Sequence, residues 1–418
     1  MARILAYTSP ALGHMLPMSA LLCELKRRGH DIHLRTLSDT LATARSFGFR
    51  ADAVDRRIEA IQLDDWQERN RSRALKRGIA AFGMRAGFEI GDLQAAVEST
   101  DPDFLLVDIN CWGARSAAEA GSVPWASFSP YVPPLRAPGL PPFGLGLAPM
   151  SGRAGRLRDA AVHAVITRSL DNAILPAINR IRDGLRLPAS ASVDEFLRRA
   201  PLLLVASGRP LQYPGTRWGD AVQMIGPCAL DPVVESAVDS AVESADWLDC
   251  IDRRIVLVTT SSEQQADAAL VTTAIEALSD SDVYVVATLP AGRADSVPYA
   301  GHATVRPVVP HGAVLRRSVC AITHGGMGAT QKALALGVPV CVVPHGRDQF
   351  EVARRVEVAG CGTRLPARRL SPRRLREKTH EAMGMTAGAH RVAEGFAAGG
   401  GVSYGADLVE AALKTRNR

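Results

Sequence analysis

The 418-residue sequence predicts an α/β protein made of two doubly wound, mainly parallel sheet domains facing a central cleft. Three observations predict this. The chain is too long for one ordinary core. Short apolar runs alternate with helical patterns in both halves. Between the halves the alternation lapses over a proline-bearing stretch and then resumes.

Taken in order, Arg3 to Thr8 reads as a buried parallel strand. A loop with Pro10, Gly13 and His14 follows, then a helical pattern from near Pro17 with Leu21, Leu22 and Leu25 on one face, stopping at Arg28-Gly29. Asp31 to Thr36 is the next strand, which completes a βαβ unit with its right-handed crossover. Asp103 to Asp108 and Pro201 to Ser207 are further buried strands, and Trp125 to Phe128 is a shorter one. Residues 129–150, SPYVPPLRAPGLPPFGLGLAPM, carry too much proline and glycine for regular structure, yet their side chains are apolar. Such a loop either binds a ligand or covers a core.

From residue 207 to 252 the pattern fades among Pro210, Pro214, Pro227 and Pro232. The second set of units begins with Ile255 to Thr260 and a helix from about Asp267 to Leu278. Val283 to Thr288, Thr304 to Val309, Val319 to Thr323 and Pro339 to Val343 are its further strands. Helices at Ser371 to Met383 and Gly405 to Lys414 close the chain, the first with a serine N-cap and a first-turn proline. The expected division is therefore 1–210 for the first domain, 211–252 for the connection, 253–400 for the second domain and 401–418 for a terminal helix.

A hydrophobic share of 47% against 22% charged residues excludes intrinsic disorder. The net charge of +6 suits anionic small ligands, but it is spread along the chain without a nucleic-acid module, so no nucleic-acid partner is expected. The basic stretch Arg364 to Lys378 reads as a solvated helix with its preceding loop. Seven cysteines with no CxxC spacing read as reduced, mostly buried thiols. Pro10, Gly13 and Pro17 interrupt any signal-peptide core, and no run is long and apolar enough to span a bilayer. A soluble, cytoplasmic protein is the expectation; peripheral membrane contact and a homodimer both stay open.

The chemistry concentrates in residues 308–349, VVPHGAVLRRSVCAITHGGMGATQKALALGVPVCVVPHGRDQ. At its centre, Thr323-His324-Gly325-Gly326-Met327-Gly328 joins a strand to a helix. Glycines allow close backbone approach, and the helix N-terminus offers free N–H groups and partial positive charge, which suits a diphosphate. The plainer reading is a glycine-rich turn that only starts a helix.

The whole stretch, with its HGG core, GVP strand entry and P-x-x-x-DQ ending, resembles the nucleotide-binding region of the UDP-glucuronosyl/antibiotic (macrolide-type) glycosyltransferase superfamily, in its actinobacterial natural-product or glycolipid branch. The resemblance implies the GT-B fold, two Rossmann-like domains around a cleft. It implies that Val308 and Val309 hold the nucleobase, and that His324, Gly326 and Gly328, with the N–H groups of Met327 and Ala329, hold the diphosphate. It implies that Asp348 and Gln349 bind the sugar hydroxyls; without the family, these two read as a helix cap. Three departures stand out. Val308 replaces the tryptophan of plant members, and Lys332 replaces their ribose-binding glutamate. The first strand of the second domain ends Thr259-Thr260-Ser261-Ser262 without the usual glycine. Ser261 and Ser262 then read equally as phosphate ligands or as an N-cap pair.

Gly13-His14 resembles the family's acceptor-activating histidine. Inverting transfer needs a base for the acceptor hydroxyl, and histidine titrates in the right range. Asp108, at a strand end before Trp112-Gly113, is placed to orient that histidine. Two Asp-x-Asp pairs, Asp101/Asp103 and Asp280/Asp282, fall before or at strand starts, the wrong end of such a sheet for a ligand. Gly401-Val402-Ser403-Tyr404-Gly405 fits a nucleophile-elbow pattern but has no preceding strand. The expectation is an inverting, metal-independent enzyme without a cofactor, moving a hexose or deoxyhexose from a UDP- or dTDP-sugar to a hydrophobic small-molecule or lipid acceptor. A non-catalytic nucleotide-sugar-binding partner and a GT-B epimerase are the alternatives. A nicotinamide dehydrogenase is disfavoured, because the first βα loop lacks the glycine fingerprint.

Overall fold

The structure, a computed structural model, describes residues 1–68, 70–231, 246–265, 267–292, 297 and 300–415. Strands β1 (Arg3–Tyr7), β2 (Asp31–Thr36), β3 (Arg50–Ala53), β4 (Phe104–Asp108), β5 (Trp125–Ser129), β6 (Leu203–Val205) and β7 (Val222–Met224) form the first sheet. Its order is β3-β2-β1-β4-β5-β6-β7, and every pairing is parallel. Strands β8 (Arg254–Thr259), β9 (Val283–Thr288), β10 (Ala303–Arg306), β11 (Ser318–Thr323), β12 (Val340–Val342) and β13 (Gly362–Arg364) form the second, all-parallel sheet in the order β10-β9-β8-β11-β12-β13.

Burial follows position in the sheet. Central β4, with the sequence FLLVD, is buried along its whole length because helices cover both faces of a parallel sheet. β2, one place from the edge, alternates half-buried and buried residues. Edge β10 is half-buried throughout. The strand order reverses between β1 and β4 and again between β8 and β11, and at such a point the two crossovers leave in opposite directions and open a crevice at the strand C-termini.

Several sequence expectations shift. The strand expected over Thr304 to Val309 stops at Arg306, because Pro307 has no N–H for the ladder; Val308 and Val309 lie in the loop beyond it. The first helix runs Leu12–Arg27, so His14 sits in its first turn rather than in a free loop, and Pro17 lies inside it, leaving the Gly13 carbonyl without its usual N–H partner. Strand β7 falls within the segment 211–252 expected to connect the domains and extends the first sheet past residue 210; residues 232–245 of that segment lie outside the described residues. The long helices Arg71–Thr100 and Gly152–Gly184 add a layer to the first domain.

The final helix runs from Gly401 to Thr415 and so takes in the four residues before Gly405. It returns to the first domain and packs on the helix Leu12–Arg27, with Ala406 and Val409 joining the core of Leu21, Leu22 and Ile225. Gly405 makes the close approach: a Cβ there would stand 3.0 Å from Ile225 Cδ1 and 3.1 Å from Leu21 Cδ1. Arg28 fixes the register by bonding Asp407 at 2.6 Å and the Ser403 carbonyl at 2.9 Å.

Truncating Val409, which is fully buried there, to alanine should cost about 1–3 kcal/mol. Urea unfolding checks this, and a midpoint unchanged from the parent would show that the helix is not part of the first core.

Candidate active site

At the first switch point, β1 leads into the helix that carries His14, and neighbouring β4 ends on Asp108. His14 Nδ1 lies 2.8 Å from Asp108 Oδ2. Asp108 is fully buried, and its second oxygen accepts the Asn110 N–H at 2.8 Å, so both carboxylate oxygens are engaged. Donation from Nδ1 to the carboxylate leaves Nε2 as the free nitrogen. Burial works to lower the His14 pKa, but the charge and hydrogen bond of Asp108, helped by Glu263 and Asp348, outweigh it and raise the value above 6.5.

Supporting groups surround this pair that the sequence did not single out. The Tyr131 ring stands edge-on to the imidazole, with centroids 6.0 Å apart, and its hydroxyl donates to Asn110 Oδ1 at 2.7 Å. Glu89 is buried behind Asp108, accepts the Gly113 N–H at 2.9 Å at the start of helix Trp112–Ala120, and has its pKa pushed up to about 8 by burial. Gly113 has no substitute: a Cβ would stand 1.9 Å from the Ala86 carbonyl oxygen. Tyr131 lies near the start of the apolar loop 129–150, which buries Val132, Leu135 and Leu140 and leaves Leu145 and Met150 exposed. The loop also reaches the second domain. The Gly144 and Gly146 N–H groups both donate to Glu351 Oε1 at 2.9 Å, and Arg354 Nε donates to the Gly146 carbonyl at 2.8 Å.

At the second switch point, β11 ends on Thr323 and the chain turns through His324, Gly325 and Gly326 into helix Met327–Ala335. Gly325 adopts φ +95°, which only glycine enters freely. The N-cap Gly326 provides no side-chain cap, so the first-turn N–H groups of Met327, Gly328 and Ala329 remain for an anion. His324 Nδ1 faces the Thr259 carbonyl at 3.4 Å, and a Cβ on Gly326 would stand 2.5 Å from His324 Nε2, which places that nitrogen over the turn. Burial lowers the His324 pKa to about 4, so this ring is neutral where His14 is readily protonated.

The remaining predicted residues separate. Ser261 is buried; its Oγ accepts the Glu263 N–H at 3.2 Å and its own N–H goes to Asp267 Oδ2 at 2.7 Å. Helix Ala269–Leu278 starts too far on for Ser261 and Ser262 to cap it, so the N-cap reading is wrong. Ser262 is exposed and faces the first domain: a Cβ on Gly13 would stand 3.8 Å from its Oγ. Val309 packs in the second core with Leu211 and Val314, whereas Val308 is 44% exposed, so their side chains do not form one surface for a base.

Asp348 is the N-cap residue of helix Gln349–Val358 but makes no side-chain cap bond; burial raises its pKa, with Arg347 and His14 pulling it down. Gln349 is consumed by its own turn. Its Oε1 accepts the His345 and Gly346 N–H groups at 2.8 and 3.0 Å, and its Nε2 donates to Gln265 Oε1 at 2.6 Å. Lys332 bonds the Leu230 carbonyl and Asp231 Oδ1, each at 2.6 Å, while Asp231 Oδ2 accepts the Gly312 N–H at 2.9 Å. The lysine that replaces a glutamate therefore brings a carboxylate with it.

The Asp-x-Asp pairs lie at the far ends of the sheets. Asp101 pairs with Arg3 at 2.7 Å before β4, and Asp280 pairs with Arg376 at 3.3 Å before β9. Among the described residues, no group of three or more His, Cys, Asp and Glu side chains could hold a metal, and no helix is long and apolar enough to cross a membrane.

Residues 272–400 match the family described as Erythromycin biosynthesis protein CIII-like, C-terminal domain. The chain is 30% identical over 430 aligned residues to 4'-demethylrebeccamycin synthase of Lentzea aerocolonigenes, covering 98% of this chain and 99% of that one. Among solved structures, the glycotransferase of kitacinnamycin superposes with a TM-score of 0.73 at 23% identity over 99% of both chains. The glycosyltransferase VinC, solved in complex with dTDP, gives 0.69 at 17% identity over 99% of this chain and all of its own.

NMR titration of the His14 imidazole should give a pKa above 6.5 in the unaltered protein. In Asp108→Asn the value should fall below 6.5, because burial then acts without its main opponent. An unchanged value would mean that Asp108 does not control the ring.

Proposed function

The chain belongs to the antibiotic glycosyltransferase superfamily, and from that premise we propose that it transfers a hexose or deoxyhexose from a UDP- or dTDP-sugar to a hydroxyl of a hydrophobic acceptor, with inversion and without a metal. The observation that carries the reading is the His14–Asp108 pair, hydrogen-bonded at 2.8 Å on a turn that abuts Ser262 of the second domain. An oriented base from one domain thus meets the loops of the other in which the anion-binding helix N-terminus lies.

In this reading the acceptor hydroxyl gives its proton to His14 Nε2 as its oxygen bonds the anomeric carbon from the face opposite the diphosphate. The bond from that carbon to the phosphate oxygen breaks, and its electron pair leaves with the nucleoside diphosphate. One displacement inverts the centre. Asp108 stabilises the imidazolium that forms. The first-turn N–H groups of helix Met327–Ala335, with neutral His324, receive the leaving diphosphate. Tyr131 and the exposed apolar side chains of Leu145 and Met150 support a hydrophobic acceptor. A dTDP donor has support from VinC, which was solved in complex with dTDP. The domain organisation carries over as proposed, with acceptor recognition in residues 1–210 and donor recognition in 253–400. Asp348, half-buried and within electrostatic reach of His14, is the group proposed for the sugar hydroxyls. Gln349 holds the turn that presents it. Val308, through its side chain, and Val309, through its backbone, are the proposed nucleobase contacts.

His14→Ala should lower transfer by about a hundredfold to ten-thousandfold, the range for loss of a general base. Binding of UDP or dTDP by calorimetry should stay close to that of the parent. Full transfer activity in the variant would sink the proposal. Because His14 must be neutral to accept a proton, kcat/KM should rise with pH through its elevated pKa. Glu263→Gln removes a carboxylate that raises that pKa, so the acid limb should move to lower pH. Transfer should also survive exhaustive chelation by EDTA, and loss of activity reversed by a divalent cation would overturn the metal-independent part.

A further inference from the structure

The turn before Asp348 holds a feature that neither the transfer chemistry nor the sequence motif accounts for. Arg347 adopts φ +52°, a region that costs a non-glycine residue energy and persists only where surrounding bonds hold it. Its guanidinium supplies those bonds across the cleft. Nη2 and Nε form a fork on Asp65 of the first domain at 2.7 and 3.1 Å, and Nη1 donates to Glu263 of the second at 2.6 Å. The Arg347, Asp65 and Glu263 side chains are 30%, 15% and 27% exposed, so the cluster is sheltered but reachable.

Its position matters more than its strength. Glu263 directly follows Ser262, and its N–H is held by Ser261 Oγ at 3.2 Å. Arg347 also lies close enough to His324 to oppose its protonation, after the larger effect of burial. The guanidinium therefore lies against Glu263 of the loop 261–263 and within electrostatic reach of His324 and Asp348, the groups proposed to handle the donor. That site needs positive charge. His324 is neutral, with its pKa near 4, and the helix N-terminus contributes only dipoles. Arg85 also acts electrostatically on this region, but it is 4% exposed and tied to the Ile61 carbonyl. Two carboxylates around one guanidinium leave the cluster with a net negative charge. An incoming diphosphate can exchange for one carboxylate without leaving the arginine unpaired.

We propose that Arg347 is a diphosphate-binding residue of the donor site, with Glu263 as the carboxylate that the phosphate oxygens displace and Asp65 as the partner from the first domain that keeps the fork oriented. The proposal rests on the donor reading above. Charge that builds on the leaving phosphate during transfer then meets a full cation as well as helix N–H groups. Because Asp65 belongs to the acceptor domain, the approach of the two domains and the hold on the diphosphate become linked.

Calorimetric binding of UDP and dTDP, each compared with its nucleoside, tests this on the full chain. Arg347→Ala should weaken the tighter diphosphate by about tenfold or more, leave uridine and thymidine unchanged, and lower kcat. Arg347→Lys should recover part of the loss. Glu263→Gln should bind the diphosphate as tightly as the parent or more tightly, and Asp65→Asn, which only loosens the fork, should lose clearly less than Arg347→Ala. Diphosphate affinity in Arg347→Ala within about twofold of the parent overturns the proposal. So does an equal loss for nucleoside and diphosphate, or a loss in Asp65→Asn matching that in Arg347→Ala, because either result makes the cluster a structural clasp. If the unaltered protein binds neither diphosphate, the donor reading itself falls and this inference falls with it.

Discussion

The hydrogen bond between His14 and Asp108 depends on two strands that are neighbours in space and far apart in the chain. β1 and β4 pair in register from Ile4 with Phe104 to Tyr7 with Val107, so the residues just past their C-termini must emerge side by side. A parallel sheet aligns all its strand ends, and the reversal of strand order at this pair parts the crossovers and leaves room above it. The second sheet repeats the arrangement with β8 and β11, which deliver Ser261–Ser262 and His324. The His14–Asp108 pair and the His324 turn are thus placed by the same geometric rule applied twice.

Their partners then give the two desolvated histidines opposite electrical characters. Both lose hydration, which favours the neutral ring. His14 has a carboxylate on Nδ1 and two more within reach, so its charged form is favoured. Among the described residues, His324 has only a backbone carbonyl as hydrogen-bond partner, and burial keeps it neutral. One ring is suited to exchanging a proton and the other to donating a hydrogen bond without titrating.

The domains are tied together by more than the connecting segment. Glu351 accepts two N–H groups from the apolar loop that carries Tyr131, and it lies one turn beyond Asp348 on the same helix. The loop 129–150 is therefore tied directly to the helix that follows Asp348. Gly146 shows how close the contact is, since a Cβ there would stand 2.5 Å from the Phe350 carbonyl oxygen. The terminal helix binds the end of the chain to the first core, although it follows the second domain in sequence.

The sequence by itself determined the two-domain α/β plan, because buried parallel strands are near-continuous apolar runs and FLLV or IVLV admits few other readings. It also identified His14, Asp108 and the His324 turn, whose chemistry is unusual enough to stand out. It missed β3, β7 and β13, since edge strands as short as RADA, VQM and GTR carry no continuous apolar run. It paired Val308 with Val309 although Pro307 ends the strand and sends the two side chains into different environments. Only the tertiary structure decided that Gln349 is spent on its own turn, that Asp231 accompanies Lys332, and that Arg347 lies between Asp65 and Glu263. Local pattern reports how a segment folds and which face it buries. Which charges neutralise one another across a cleft depends on contacts spanning as many as 282 positions, and no periodicity along the chain encodes those.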